Sequence, residues 1–583
     1  MIAKPHVIAF STLLLATSTL IQQSLPAQQP VTQSIGSGCG GVGGTANYAS
    51  SSVPFLGSLL GLDVTHLPPQ ENGLFLMSLG QHATPMSLAP YGMPGCESYP
   101  LSDAFLPFTT GNGTVHWDVL IPPAQALAGA TIWSQVFFQQ PGLNAANVGA
   151  TNGLAHTFGD PAVGSYQSSL TQWGITWQFD RPYHCGQFCN GDWWVIGPVT
   201  VTSITPGTAT VSGRVINGSM VNPGIDGQHG YDSTLYAGYD NAKFKPWLNV
   251  AATMPLLIQP SSSLISTISQ IGPAPNGGVS QLRTAAVLTV LGTVPPADAF
   301  RPPYSGTDKT IRHRESDLDY TTLASLAPAS GAPSLTATAD GFARVWLDHC
   351  ANWISRYMHP VENMPDYYRS FTALTGTAGL LLNSNFTNAQ KRDLLVRFVQ
   401  VGIDHYGNMQ NGARWGVNGH CNGRKFPILF AGKVLNDAAM LGAGTTWPTI
   451  YSGPGAVGNN KAPFSEDGQT FYVQQTSPGV YNWGYGGYTA QHVGLPEWGN
   501  FHTDNIASDD AGWPGTTGYR ICCSANGWIG SALTMRIMGL QPQWNQTAYF
   551  DYVDRYMQTE PPGWTQSWTP WHATMWNTYR AQF

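Results

Sequence analysis

Thr387-Asn388-Ala389-Gln390-Lys391-Arg392-Asp393-Leu394-Leu395-Val396-Arg397-Phe398-Val399-Gln400-Val401-Gly402-Ile403 carries two helix signals at once. Thr387 and Gln390 stand three apart, the spacing of a capping box, in which each side chain satisfies the other residue's backbone N–H. Leu394, Leu395, Phe398, Val399 and Ile403 then recur at helical spacing. Similar patterns lie on both sides. Phe342, Val345, Trp346, Cys350, Trp353, Ile354 and Tyr357 predict one helix before it, and Phe371, Leu374, Ala378 and Leu381 a second. Ile428, Leu429, Val434 and Leu435 predict a helix after it. Trp528, Ile529, Ala532, Leu533, Ile537 and Met538 predict another, and Tyr549, Tyr552, Val553 and Tyr556 a last one starting near Asn545. Residues 310–583 therefore read as helical hairpins joined by long loops. An α/α toroid-like catalytic domain is the expectation, and an irregular bundle the alternative.

Toward the N-terminus the period shortens. In residues 165–305, Thr176-Trp177-Gln178-Phe179, Trp193-Trp194-Val195-Ile196, Thr208–Val215 and Ala285–Leu291 read as strands of a second β domain. Residues 35–162 are short apolar runs between Gly and Pro turns, the pattern of a β-sandwich. Residues 1–27 read as an export signal: Lys4, an apolar run from Val7 to Ile21, and Leu25-Pro26-Ala27 before Gln28. The expected fold class is a multidomain α+β chain, with two N-terminal β-sandwich-like domains before the helical one. The expected location is secreted or at the cell surface, with no membrane span.

Composition narrows the function. The 583 residues hold only 25 Lys and Arg and 32 Asp and Glu, but 20 Trp, 24 Tyr and 23 Phe. A net charge of −7 argues against nucleic acid as a partner, because such proteins carry basic stripes. The aromatic content argues against disorder. Eight cysteines suit an oxidising compartment; Cys39 with Cys96 and Cys185 with Cys189 are the local pairings expected, and Cys522 or Cys523 would bond Cys350 or Cys421. Asp226-Gly227-Gln228-His229-Gly230-Tyr231-Asp232 could hold Ca2+, although it lacks the ligand alternation of a calcium loop. No serine-hydrolase elbow, P-loop or zincin motif occurs.

Against this scarcity of charge, Arg414, Arg424 and Lys425 fall within one loop, 411–425, with Trp415, Asn418 and His420. A second loop, 481–520, carries Tyr485, Tyr488, His492, Glu497, Trp498, His502 and Arg520. Tyr367 and Arg369 sit in a smaller cluster with Glu362 and Asp366. Aromatic faces stack on the apolar faces of sugar rings, while Arg and Asn bond hydroxyls and carboxylates. The combination points to an acidic polysaccharide. A β-eliminating lyase must neutralise a uronate carboxylate, abstract the C5 proton and protonate the leaving oxygen. Asn418 and Arg424 are expected to hold the carboxylate, with His420 and Tyr485 or Tyr488 moving protons. Arg414, Trp415, Lys425, Tyr367, Arg369, His492, Trp498, His502 and Arg520 are expected to bind substrate. A glycoside hydrolase would instead need two carboxylates. Only Glu315, Glu362, Glu466, Glu497 and Glu560 are available among glutamates of this region, with Glu497 beside Asp366, Asp509 or Asp510 as the pair. A non-catalytic carbohydrate-binding surface protein is the third expectation, and the chain is expected to be a monomer.

Two resemblances bear on this. FLMSLG at 75–80, GCESYPLSD at 95–103, IPPAQALAGATIWSQ at 121–135 and TNGLAHTFG at 151–159 resemble an accessory β-sandwich module of secreted proteins of environmental bacteria. That module implies no catalytic residues. The β-rich part joined to a helical part with Asn, His, Tyr and Arg loops is similar to secreted polysaccharide lyases of the α/α-toroid type. The likeness covers residues 310–583 and implies β-elimination, although those enzymes often place their β domains after the toroid.

Overall fold

The computed structural model describes residues 7–9, 30–56, 58–122, 127, 129–159, 164–225, 227–233, 243–274, 280–350, 358–365, 368–415, 421–446, 464–481, 488–498, 525–559 and 569–583. The chain divides into two compact units, Met1–Gln167 with Pro182–Cys185, and Ser168–Arg181 with Gly186–Phe583. Apart from Val7–Ala9, the expected export segment lies outside the described residues.

The first unit is a sandwich. One sheet runs in the order Val7–Ala9, Val115–Leu120, Leu59–Thr65, Asn47–Ser50. The other runs Val31–Ile35, Gly153–Thr157, Thr131–Gln139, Asn72–Ser78, Ala104–Thr109. Alternate side chains of the two sheets share one core: Leu60, Leu62, Trp117 and Val119 from the first meet Phe75, Ile132, Val136 and Phe138 from the second. The Phe75 and Trp117 rings stack at 4.9 Å. The conspicuous polar residues of the sequence motifs have structural work inside this core. Gln135 accepts from the Tyr99 N–H and donates to the carbonyls of Glu97 and Thr151. Asn152 accepts from the Tyr48 N–H at 2.9 Å and returns a bond to its carbonyl at 2.8 Å. His156 bridges Thr32 and Ser134, each at 3.0 Å, and its burial pushes its pKa down to about 4. Cys39 and Cys96 form the expected disulfide.

Among the described residues, the second unit contains one large sheet, three two-stranded ones and the helices. The sheet order is Ser219–Val221, Ser262–Ser269, Leu282–Leu291, Trp193–Ile196, Ile175–Gln187, Val199–Thr205, Leu256–Ile258, with Ser165–Gln172 also paired to Ile175–Gln187. Leu282–Leu291 is buried along nearly its whole length, which explains its unbroken apolar run. Most of the second β region among the described residues belongs to this sheet, with Ala209–Val211 and Arg214–Ile216 paired apart from it. Its Ile265, Leu282, Ala285 and Val287 pack against Tyr304, Val345, Leu347 and Met358. Arg301 ties the 192 loop to the longest helix, reaching Asp192 at 2.6 Å and Asp404 at 2.9 and 2.5 Å. Cys185 and Cys189 are not bonded to each other: the Cys185 thiol donates to the Ser165 carbonyl at 3.3 Å. Cys522 and Cys523 lie outside the described residues.

Five of the predicted helices form, as Tyr368–Leu382, Asn388–Gln410, Lys425–Val434, Ala525–Ile537 and Thr547–Thr559. The capping box of Thr387 and Gln390 closes as expected, with the Thr387 N–H donating to Gln390 at 2.9 Å. Over 342–350 the helix expected from Phe342 does not form. A six-residue helix, Leu335–Asp340, ends before it, and 341–350 is a chain of turns and bends. Phe342, Val345 and Trp346 are still buried, because each fills a gap between elements, which a turn can do as well as a helix. Trp353, Ile354 and Tyr357 lie outside the described residues. The helix Pro570–Tyr579 had no matching pattern. A closed toroid is not seen among the described residues. No helix among them is long and apolar enough to cross a membrane.

Candidate functional site

The loop after Asn388–Gln410 is pinned at both ends by buried groups. At its entrance the Asn411 N–H and side-chain amide both donate to the Gly407 carbonyl, at 3.0 and 2.9 Å. Arg414 is half-buried and donates to the Ala413 carbonyl at 2.7 Å. Trp415 is fully buried, edge-on to His405 at 5.6 Å and stacked on Phe464 at 5.9 Å. At its exit Gly423 takes φ +87°, a left-handed conformation that suits glycine, and its N–H donates to Glu466 at 2.6 Å. This turn sends Arg424 inward. Its guanidinium donates to Asp348 at 2.8 Å and to the Asn422 carbonyl at 2.6 Å, over the Phe371 ring at 4.7 Å. Asp348 also meets His405 at 2.7 Å. One carboxylate therefore joins the helix before the loop to the residue that ends it.

The next layer is as densely charged. Lys425 reaches Asp467 at 2.5 Å and the Trp544 carbonyl, with the Trp544 ring 4.7 Å away. Gln469 joins the two predicted loops: its amide donates to Asn422 at 3.1 Å, and its carbonyl accepts from the Trp498 indole at 3.0 Å. Glu497, on the strand Pro496–Trp498, is ion-paired with Arg555. His492 accepts from the Thr489 N–H at 2.9 Å, and Tyr488 is buried beside it. Arg369 is half-buried in the first turn of Tyr368–Leu382.

Burial sets the electrostatics. It would raise the Asp348 carboxyl, but the Arg424 guanidinium and the His405 bond hold it well below the usual carboxylate range. Burial pushes the Lys425 ammonium down, against the opposing pull of Asp467. Glu466 is pushed up to about 7 by burial, against its bonds to backbone N–H groups. One of its oxygens has no hydrogen-bond partner among the described residues. A carboxyl of this kind keeps its proton near neutral pH and can donate it.

Several expected contacts thus face the protein interior. Arg424, Lys425, Trp415 and Trp498 are fully buried; Arg424, Lys425 and Trp498 are hydrogen-bonded within the chain, and Trp415 packs against the His405 and Phe464 rings. Asn418, His420, Tyr485, Tyr367, His502 and Arg520, with Asp366, Asp509 and Asp510, lie outside the described residues. Sequence reasoning passed over Asp348, His405, Asp467, Asn422 and Gln469, and counted Glu466 without giving it a role. One signal was available: Gln400, Asp404 and Asn408 fall four apart on one helix face, with His405 beside them, and all four are buried.

For the calcium expectation, both Asp232 oxygens accept from Arg214, at 2.9 and 2.7 Å, and Asp226 lies outside the described residues. No group of three or more His, Cys, Asp or Glu among the described residues is placed to hold a metal ion. No protein-family model, curated protein or solved structure matches the chain.

Proposed function

We propose that the protein is an exported polysaccharide lyase that cleaves uronic-acid-containing polymers by β-elimination, from a toroid-like helical domain. The observation that carries this reading is Gln469, which bonds Asn422 of the first loop and Trp498 of the second. The described Asn422 and Trp498 of the two loops are thereby joined through a fully buried side chain, and a site built on such a buried base is well positioned. The segment 416–420 spans the gap between the buried Trp415 and Cys421, and Asn418 and His420 are its reactive residues. Asn418 bonds the uronate carboxylate. His420 takes the C5 proton, the C–H electron pair forms the C4–C5 double bond, and the departing O4 takes a proton from Tyr485 or Tyr488. Arg424 and Lys425 act from below, by holding the loop through Asp348 and Asp467.

Incubation with alginate, glucuronan, ulvan and glycosaminoglycans is expected to raise the ultraviolet absorbance of an unsaturated product with at least one polymer. Asn418→Ala and His420→Ala are expected to abolish that rise while leaving the unfolding transition unchanged. A glycoside hydrolase, with a pair of carboxyl groups flanking the scissile bond, is the alternative reading. Reducing ends released without absorbance would select the hydrolase. Binding without shortening of any polymer would select a carbohydrate-binding surface protein.

A further inference from the structure

The hairpin Ser165–Gln172 to Ile175–Gln187 turns on two residues, Trp173 and Gly174, with φ +53° and +79°. Positive φ at both positions is the two-residue turn that Asn-Gly suits best, and a bulky residue in the first position is strained. Something other than the turn keeps an indole there. The Arg344 guanidinium lies over its ring at 4.4 Å, yet Trp173 remains 36% exposed. Arg344 donates to Thr284 at 2.7 Å and pairs with Glu362 at 2.8 Å. The other oxygen of Glu362 takes Arg283 at 2.6 Å, and the Arg283 side chain is 61% exposed. Two guanidinium groups thus share one carboxylate beside a part-exposed indole. The patch is net positive in a chain whose net charge is −7.

We infer that Trp173, Arg344, Arg283 and Glu362 form a surface site for an anionic polysaccharide. The indole offers a flat apolar face to a sugar ring, with Arg344 fixing its orientation. Arg283, held by Glu362 through one nitrogen only, presents its outer edge to a carboxylate or sulfate on the polymer. Glu362 accepts from both guanidiniums and so keeps them at a fixed separation. A neutral polymer could use the indole but would gain nothing from the second Arg, which is why the site favours an anionic one. The inference takes its substrate class from the proposed activity.

The test is gel retardation of the full chain in alginate, with hydroxyethylcellulose as the neutral control. Trp173→Asn removes the indole and supplies the residue that this turn prefers, so folding is preserved. It is expected to weaken retardation by alginate about tenfold, with an unfolding midpoint no lower than that of the wild type. Arg283→Gln is expected to weaken it several-fold and to reduce its dependence on salt. Unchanged retardation of Trp173→Asn would overturn the site. An equal loss in the neutral gel would overturn its preference for anionic polymers. Turnover of short oligosaccharides is expected to be the same in wild type and Trp173→Asn. If neither forms product, the lyase reading fails while the gel still decides the surface site.

Discussion

Inside the first sandwich no Asp, Glu, Lys or Arg is buried among the described residues, while in the second unit twelve such residues are, from Asp192 to Glu497. Gln135, Asn152 and the neutral His156 bond the backbone and hydroxyls of neighbouring strands. Asp348, Arg424, Lys425, Asp467, Arg301 and Asp404 bond one another across elements far apart in sequence. The difference follows from what each has to hold. A sandwich already fixes its strands through ladder hydrogen bonds, so neutral side chains need only fill the gaps. Where the chain between helices runs outside a ladder, a charged bond gives a strong directional tie in a low-dielectric interior. Such a tie specifies geometry more than it adds stability, because desolvation offsets much of the attraction.

The largest expected effect tests that contrast directly. Asp348→Ala leaves the Arg424 guanidinium buried with its main partner gone, which is expected to cost about 4 kcal/mol. Urea unfolding measures it, and a loss below about 1 kcal/mol would erase the distinction between the units.

The second prediction uses pH. Glu466 holds its proton to about 7 when folded, against 4.5 when exposed. Its contribution is therefore fully present below pH 4.5 and lost as pH rises through about 7, by up to roughly 3 kcal/mol. Glu466→Gln is expected to remove that part of the pH dependence, seen as a difference between the two stability–pH curves. Asp348 acts in the opposite direction, since its contribution is present above the ordinary carboxylate range and lost as pH falls below it.

In the sandwich, Gln135→Leu strips three backbone groups of a side-chain partner and is expected to cost about 2 kcal/mol, without changing the pH profile. A pH-dependent loss there would mean that the neutral description of this core is wrong. The smallest effect is expected for Thr387→Ala, about 1 kcal/mol, from loss of the N-terminal cap alone.

Much of the fold was legible in the chain. The capping box at Thr387 and the apolar spacing after it mark a helix that forms, and the Cys39–Cys96 pairing and the first sandwich also follow from local pattern. Over 342–350 the helix expected from Phe342 fails because periodic burial has more than one cause. Val345 reaches the core around Ile265 and Leu282, while Phe342 and Trp346 pack in the helical core. Of the candidate site, the sequence marked the loops but misjudged direction. Arg424 and Lys425 looked like cations reaching for substrate because their partners, Asp348 and Asp467, stand 76 and 42 positions away.

By itself, then, the sequence determined where β structure gives way to helix, which cysteines close the first unit and which loops concentrate the charge. These are properties of spacing, set by the geometry of a strand or a helical turn. Only the tertiary structure decided what each charge faces. A buried ion pair is made by two residues whose separation in sequence is unconstrained, so no local pattern encodes it. Gly423 could be seen in the sequence as a glycine. That its left-handed turn carries Arg424 beneath the loop, onto the carboxylate that also holds His405, is a consequence of the fold.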